Sequence, residues 1–295
     1  MAQLNFAHLA DRGVVRIAGE DAHHFLQNLI TVDLDEIDAK GAGFAALLTP
    51  QGKILFDFLI VKTGTEYLLD APLQTLADLI KRLGFYRLRA KVDIEDVSGA
   101  NGVVAAWGGN HPETDARVAF QDPRVSTLGA RLIGDVSSIV EKLAPLGTAG
   151  NYAAHRIALG VPESLSDFAY SDIFPHDADM DDLNGVSFTK GCYVGQEVVS
   201  RVHHRGTARK RFVSVASSQP LPEPGTAIES NGKTVGSLGT SAAIGGEHRA
   251  LGLVRLDKIG TALNNNRPLM CGGVEVRVEL PAWARFSWPE TAPAD

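Results

Sequence analysis

The sequence predicts an α+β fold that gives way, near Arg211, to a small β-barrel or sandwich. Three observations predict it. Apolar residues recur at helical spacing in some stretches and alternate in others without strict βαβ order; beyond Arg211 the chain breaks into short alternating runs; and Gly, Pro and Asn separate those runs.

Taken in order, VVRIAG (14–19) is strand-like, and EDAHHFLQNLI places Ala22, Phe25, Leu26, Leu29 and Ile30 on one helical face behind Asp21 as its cap. FAALLT and ILFDFLIV read as two buried strands joined by a turn at 50–53, PQGK, and EYLLD (66–70) as a third. Pro72 opens a second helical pattern through Leu73, Leu76, Ile80 and Leu83 before KVDIEDV alternates as a strand. VVAAW, RVAF and ARLIG are short strands, followed by helical patterns at 136–143 and 152–159. The acid-rich stretch 160–189 lacks sustained periodicity and is expected to be an ordered functional loop. RFVSVAS, TAIES, KTVGSLG, RALGLVRL and GVEVRVEL then supply barrel strands. The last puts Val274, Val276, Val278 and Leu280 on one face, and an Asn231-Gly232 turn joins two others. Domains are expected at 1–210 and 211–287, with a tail at 288–295.

A chain of 295 residues, 44% hydrophobic, is long enough for two or three cores. Its longest apolar runs fall short of the ~20 residues of a spanning helix, so no membrane segment is expected. The first residues lack the basic and apolar pattern of a leader, which makes cytoplasmic residence the expectation. A net charge of −7 argues against nucleic acid as partner. Two cysteines without metal-type spacing exclude a disulfide framework and a four-ligand zinc site, so no metal is assigned. Gly232-Lys233-Thr234 lacks the first glycine of a phosphate loop, and the adjacent pairs His23-His24 and His203-His204 point apart.

Against that acidic background, Lys190–Arg211 carries six basic residues and one acid, Glu197. Its first part, KGCYVGQEVVSR, places Cys192 between Gly191 and Gly195, with Lys190 before it and Arg201 beyond. Thiolates are favoured beside cations or at helix N-termini, and glycines allow close backbone approach. Glu197 and Arg201, four apart, would pair on a helix. Cys271, without charged neighbours, takes the core role.

KGCYVGQE resembles the signature of the YgfZ-type folate-binding proteins, a group that includes the mitochondrial iron-sulfur assembly factor and is related to the glycine-cleavage T-protein. GEDAHHFLQNLITVD, LTPQGKILFD, YRLRAKVDIED, HRIALGVPE, FPHDADMDDLNGVSF and HRGTARKR extend the resemblance in family order. It implies two interwoven α+β lobes forming a folate-binding channel, then a C-terminal β-barrel. It also implies a folate-binding accessory factor in assembly or repair of iron-sulfur clusters, with tetrahydrofolate as cofactor and assembly proteins or client enzymes as partners. Cys192, Lys190 and Arg201 are then the reactive set. Gly191, Tyr193, Gly195, Gln196 and Glu197 belong to the same signature, Asp177 stands where a T-protein carboxylate holds the pterin, and Arg156 meets the folate tail or forms a structural salt bridge. Asp57 lies where T-proteins carry the first of two adjacent acids after a glycine pair; here Lys53 and Phe58 replace the second glycine and second acid. Whether the chain is an enzyme therefore stays open, the alternative being a tetrahydrofolate-dependent one-carbon transferase using Asp57.

Overall fold

The computed structural model describes residues 4–109, 113–143, 146–206 and 208–289. The chain divides into two compact units, one of Met1–Tyr152 with Leu183–Gln196, the other of Ala153–Asp182 with Glu197–Asp295.

The first unit begins with β1 (Asn5–His8), β2 (Arg12–Ala18), α1 (Ala22–Gln27), α2 (Leu34–Lys40), β3 (Ala42–Leu48), β4 (Ile54–Thr63) and β5 (Glu66–Pro72). It continues through α3 (Leu76–Arg87), β6 (Asp93–Asp96), β7 (Gly102–Trp107), β8 (Val118–Gln121), β9 (Ala130–Gly134) and α4 (Val136–Glu141). Two antiparallel sheets result, β3-β4-β5-β2-β6 and β1-β7-β9-β8. The run ILFDFLIV, read as a buried strand, is so: Phe58, Leu59, Ile60 and Val61 of β4 have lost nearly all contact with water, as have Leu68 and Leu69 of β5. A second core gathers Phe6, Val104, Ala106 and Leu132 under Ile139 of α4.

The first helix stops sooner than its pattern predicts. The amides of Leu29 and Ile30 both turn back to the Leu26 carbonyl, and Ile30 bridges to Leu47. Asp21 does not cap it; its carboxylate instead accepts the Lys91 amide at 2.8 Å, tying the start of α1 to the segment before β6. Helix α2, unread in the sequence, is started by Asp33, which accepts the Asp35 amide at 3.1 Å.

The division falls inside α5 (Ala149–Ala158). The stretch 160–189 forms no helix or strand, its residues up to Asp182 belonging to the second unit and those from Leu183 to the first, and α6 (Gln196–Arg205) begins inside the motif. Then come β10 (Lys210–Ser217), β11 (Ala227–Ser230), β12 (Lys233–Ile244), β13 (Glu247–Arg255), α7 (Leu256–Asn264), β14 (Leu269–Cys271) and β15 (Val274–Glu279). The strands close as β10-β13-β12-β11-β14-β15, so the barrel alternative holds over the sandwich. Asn231 and Gly232 both adopt positive φ, 49° and 68°, the backbone of the two-residue hairpin turn their sequence announces. Cys271 is fully buried in the barrel core with Val215, Ile228 and Val254, and burial pushes its thiol up.

The sequence boundary at Arg211 marks where strands begin but not where this unit begins. Arg156, in α5, donates to the Thr240 hydroxyl at 3.1 Å, and Arg211 grips Asp181 with two nitrogens, at 2.5 and 2.8 Å. These pairs bind residues 153–182 to the barrel. At the other end Phe286 and Trp288 pack against the barrel core, shortening the expected tail; residues 290–295 lie outside the described ones.

Candidate functional site

Thr31, Lys190 and Gly195 anchor the loop 183–195 to the rest of the first unit. Buried Thr31, in the segment after α1, receives the Ser187 amide on its carbonyl at 2.8 Å. Its hydroxyl donates to the Gly185 carbonyl at 2.6 Å and accepts the Ala46 amide of β3 at 2.9 Å. Lys190 then turns inward. Its ammonium donates to the carbonyls of Gln27, Ile30 and Val32 at 2.7, 2.8 and 2.6 Å. These acceptors lie at and just beyond the C-terminal end of α1, where carbonyls lack helical partners and favour a cation. Tyr193, itself buried and pushed up to about 12 by that burial, lies with its ring 5.3 Å from the same ammonium. Burial also lowers Lys190 to about 8, against the pull of Asp33.

Gly195 makes the third anchor. It has φ +81°, and a Cβ there would stand 2.5 Å from the Thr49 carbonyl oxygen and 3.1 Å from the Gly52 Cα, so only glycine seats the loop on the β3–β4 turn. That turn is closed by the Thr49 amide on Lys53 and the Gly52 amide on Thr49, both 2.8 Å. The hairpin it joins carries half-buried Asp57, in register with Ala46. Gly191 behaves differently: a Cβ there would meet nothing within 4 Å, so no close approach demands glycine. Between the anchors, Gly191 and Cys192 face solvent. The motif thus points its lysine into the protein and its thiol out.

Chain leading into the loop walls a cavity of about 830 Å³ within the first unit, bounded by α2 and the residues before it, the outer ends of β3 and β4, β8, and 184–189. Ile37, Val61, Phe120 and Val186 give it apolar surface; Asp33, Glu36, Lys40 and Asp122 give it charge. Asp122 is fully enclosed. Burial alone would push its carboxyl up, but Arg124, bonding through two nitrogens at 3.0 and 2.7 Å, with Arg131 at 3.6 Å, holds it below the usual carboxylate range. Asn184 fastens the loop to this corner by donating to the Pro123 carbonyl at 3.0 Å.

The remaining expected residues belong to the second unit. Arg156 is enclosed by Asp167 at 2.8 Å, Glu163 at 3.4 Å, the Val161 carbonyl at 2.6 Å and Thr240, which is the salt-bridge arrangement rather than a free cation for a ligand tail. Half-buried Asp177 accepts the Phe174 amide at 3.1 Å, and burial raises its carboxyl despite that bond and the cations Lys210 and Arg211. The 196–205 stretch is helical as the spacing of Glu197 and Arg201 requires for pairing, yet both are exposed and, among the described residues, no ion pair joins them. The structure therefore brings together Lys190, Gly191, Cys192, Tyr193, Gly195, Gln196 and the hairpin of Asp57, and assigns Arg156, Asp177, Glu197 and Arg201 to the other unit. Sequence reasoning missed Thr31, Asp122 and Arg124. GEDAHHFLQNLITVD signalled Thr31 only as a family segment, and nothing local marked the Asp122–Arg124 pair.

Residues 209–286 match the family described as the CAF17 C-terminal beta-barrel domain. The chain is similar to the mitochondrial iron-sulfur cluster assembly factor IBA57 homolog of Mycosarcoma maydis, 34% identical over 71% of this chain and 56% of that protein; it spans just over half of that relative's length. It is also similar to mitochondrial IBA57 of Homo sapiens, 32% identical over 78% of this chain and 72% of that one, and of Mus musculus, 30% identical over 96% and 85%. Among solved structures, the glycine cleavage system aminomethyltransferase T from Bartonella henselae superposes with a TM-score of 0.76 over 98% of this chain and 88% of that one, at 16% identity, a likeness of fold. Two expectations are corrected. The relatives carry the IBA57 name rather than YgfZ, and their mitochondrial names overturn cytoplasmic residence, which rested on the composition of the first residues, whereas a leader is an address separate from the folded body.

Proposed function

The chain belongs to the IBA57 family of iron-sulfur cluster assembly factors, and on that premise we propose that it serves cluster assembly through the thiol of Cys192. One observation carries the reading: the motif loop is fixed by Lys190 on one side and by Gly195 on the other, while the thiol between them stands in solvent. A tethered loop presents one sulfur at a defined place without burying it, which suits transfer to or from a partner. A single thiolate cannot hold a cluster, so ligands from an assembly protein or client enzyme complete it, and the cluster is cargo. Cells relying on Cys192→Ala are expected to lose activity of their cluster-dependent enzymes under oxidative growth, with Cys271→Ala as control; normal activity in the first variant defeats the proposal.

The cavity is the place we assign to a folate. Its volume lies within the roughly 300–1,000 Å³ of small-molecule sites, and its mixture of apolar walls and a few charges suits a flat ring with a charged tail. Titration with tetrahydrofolate tests this directly. Ala119→Trp, which fills the cavity from an exposed position on β8, is expected to weaken binding about 10-fold or more, and Asp177→Asn to leave it unchanged. The converse result moves the pterin to Asp177.

A further inference from the structure

The segment from Lys81 to Lys91, KRLGFYRLRAK, is used by neither the cavity nor the thiol loop. Leu76, Leu79 and Leu83 of α3 are buried, while Asp78, Lys81, Arg82 and Phe85 recur at i, i+3, i+4 and i+7 along another face. Phe85 is 64% exposed and Leu88, the residue that ends α3, is 88% exposed, the two most exposed of the large apolar side chains among the described residues. Leu88 also has φ 45° with ψ −108°, a backbone conformation unfavourable to any side-chain-bearing residue. A strained leucine held in water contributes nothing to the fold that glycine would not.

Hollows lie on either side. One, of about 320 Å³, is formed by Leu55 and Phe56 with Asp78, Lys81, Arg82 and Phe85. The other, of about 400 Å³, runs from Gly19 and Glu20 along Arg87–Asp93. Lys91 is paired with Glu20 at 2.6 Å, but among the described residues no ion pair engages Lys81, Arg82 or Arg89. These free cations surround two bare apolar side chains on a chain of net charge −7.

We propose that this face docks an acidic protein segment whose own apolar side chain covers Phe85 and Leu88. The hollows accept side chains projecting from a partner, which a flat bilayer does not supply, and Asp78 and Glu20 within them oppose a phosphate backbone. Charge steers such an encounter and the apolar pair holds it.

The test uses the full chain and a fluorescent peptide of glutamates interrupted by one Phe and one Leu, beside a control peptide with serines at those two places. At low salt the first is expected to bind, and the control at least about 10-fold more weakly. Leu88→Gly, whose backbone suits positive φ, is expected to keep or raise the melting midpoint while losing about 10-fold in affinity, and Arg82→Glu with Arg89→Glu is expected to lose at least as much, as is wild type in high salt. Equal binding of both peptides, affinity unchanged in these variants, a lowered midpoint in Leu88→Gly, or preference for phosphatidylserine vesicles or single-stranded RNA over the peptide overturns the proposal.

Discussion

Replacing Lys190 by methionine keeps most of the side chain's volume and removes its charge and all three of its donors. The carbonyls of Gln27, Ile30 and Val32 then lose donors now at 2.6 to 2.8 Å. A buried acceptor left without its donor costs about 1–3 kcal/mol, so three independent losses would approach the upper single digits. They are not independent, because the three oxygens surround one nitrogen and local water can reach part of them once the ammonium is gone. The ammonium's own desolvation, which lowers Lys190 to about 8, is also relieved. The net expectation is ~2–4 kcal/mol. Urea unfolding gives the global change, and amide hydrogen exchange across 183–195 gives the local one. The Ser187 amide, bonded to Thr31, should exchange faster by a similar factor. Arginine at this position keeps the charge, but its planar fork cannot serve three converging carbonyls, so it should recover only part. A methionine variant with wild-type midpoint and wild-type loop protection would refute the view that Lys190 is an anchor.

Three other outcomes follow from the same geometry. Lys190 has an ordinary value near 10.5 and a folded value of about 8, so between these the unfolded chain holds a proton the folded chain has released; this group alone raises the unfolding free energy from pH 8 toward 10.5, and that increment should vanish in Lys190→Met. Gly195→Ala is expected to cost more than ~1 kcal/mol, through its φ of +81° and the Thr49 oxygen 2.5 Å from the new methyl, whereas Gly191→Ala should shift the midpoint by less than ~0.5 kcal/mol. Asp122→Asn leaves Arg124 and Arg131 without their shared carboxylate and should destabilise the first unit by about 3–5 kcal/mol by urea unfolding.

The strands were legible because their signals are local. β15 alternates half-buried Val274 and buried Val276 and Val278 with exposed charges, and Asn231-Gly232 states its own turn. Helix α7 was not read, although Leu256, Ile259, Gly260 and Ala262 are buried at helical spacing, because its first residue continues the apolar run of β13. At the site, the motif named the right loop but not the direction of its side chains. The acceptors of Lys190 are main-chain oxygens about 160 residues earlier in the sequence, and a carbonyl has no residue type by which a pattern could announce it. Arg156 shows the same limit: its charge was visible, its enclosure by Asp167 and Glu163 was not.

The two units differ in how open their hydrogen-bonding ladders are to another chain. Closure of β10 on β15 leaves the barrel, among the described residues, with no terminal strand, so it offers a foreign strand or a misfolded neighbour no edge to extend. The first unit, with two open sheets, must protect itself residue by residue. β6 does so with the run Asp93-Ile94-Glu95-Asp96, in which three acids out of four residues make the outer rim of the five-stranded sheet repel its own kind. Neutralising those acids would be felt as aggregation of the first unit at high concentration, long before any loss of folding stability.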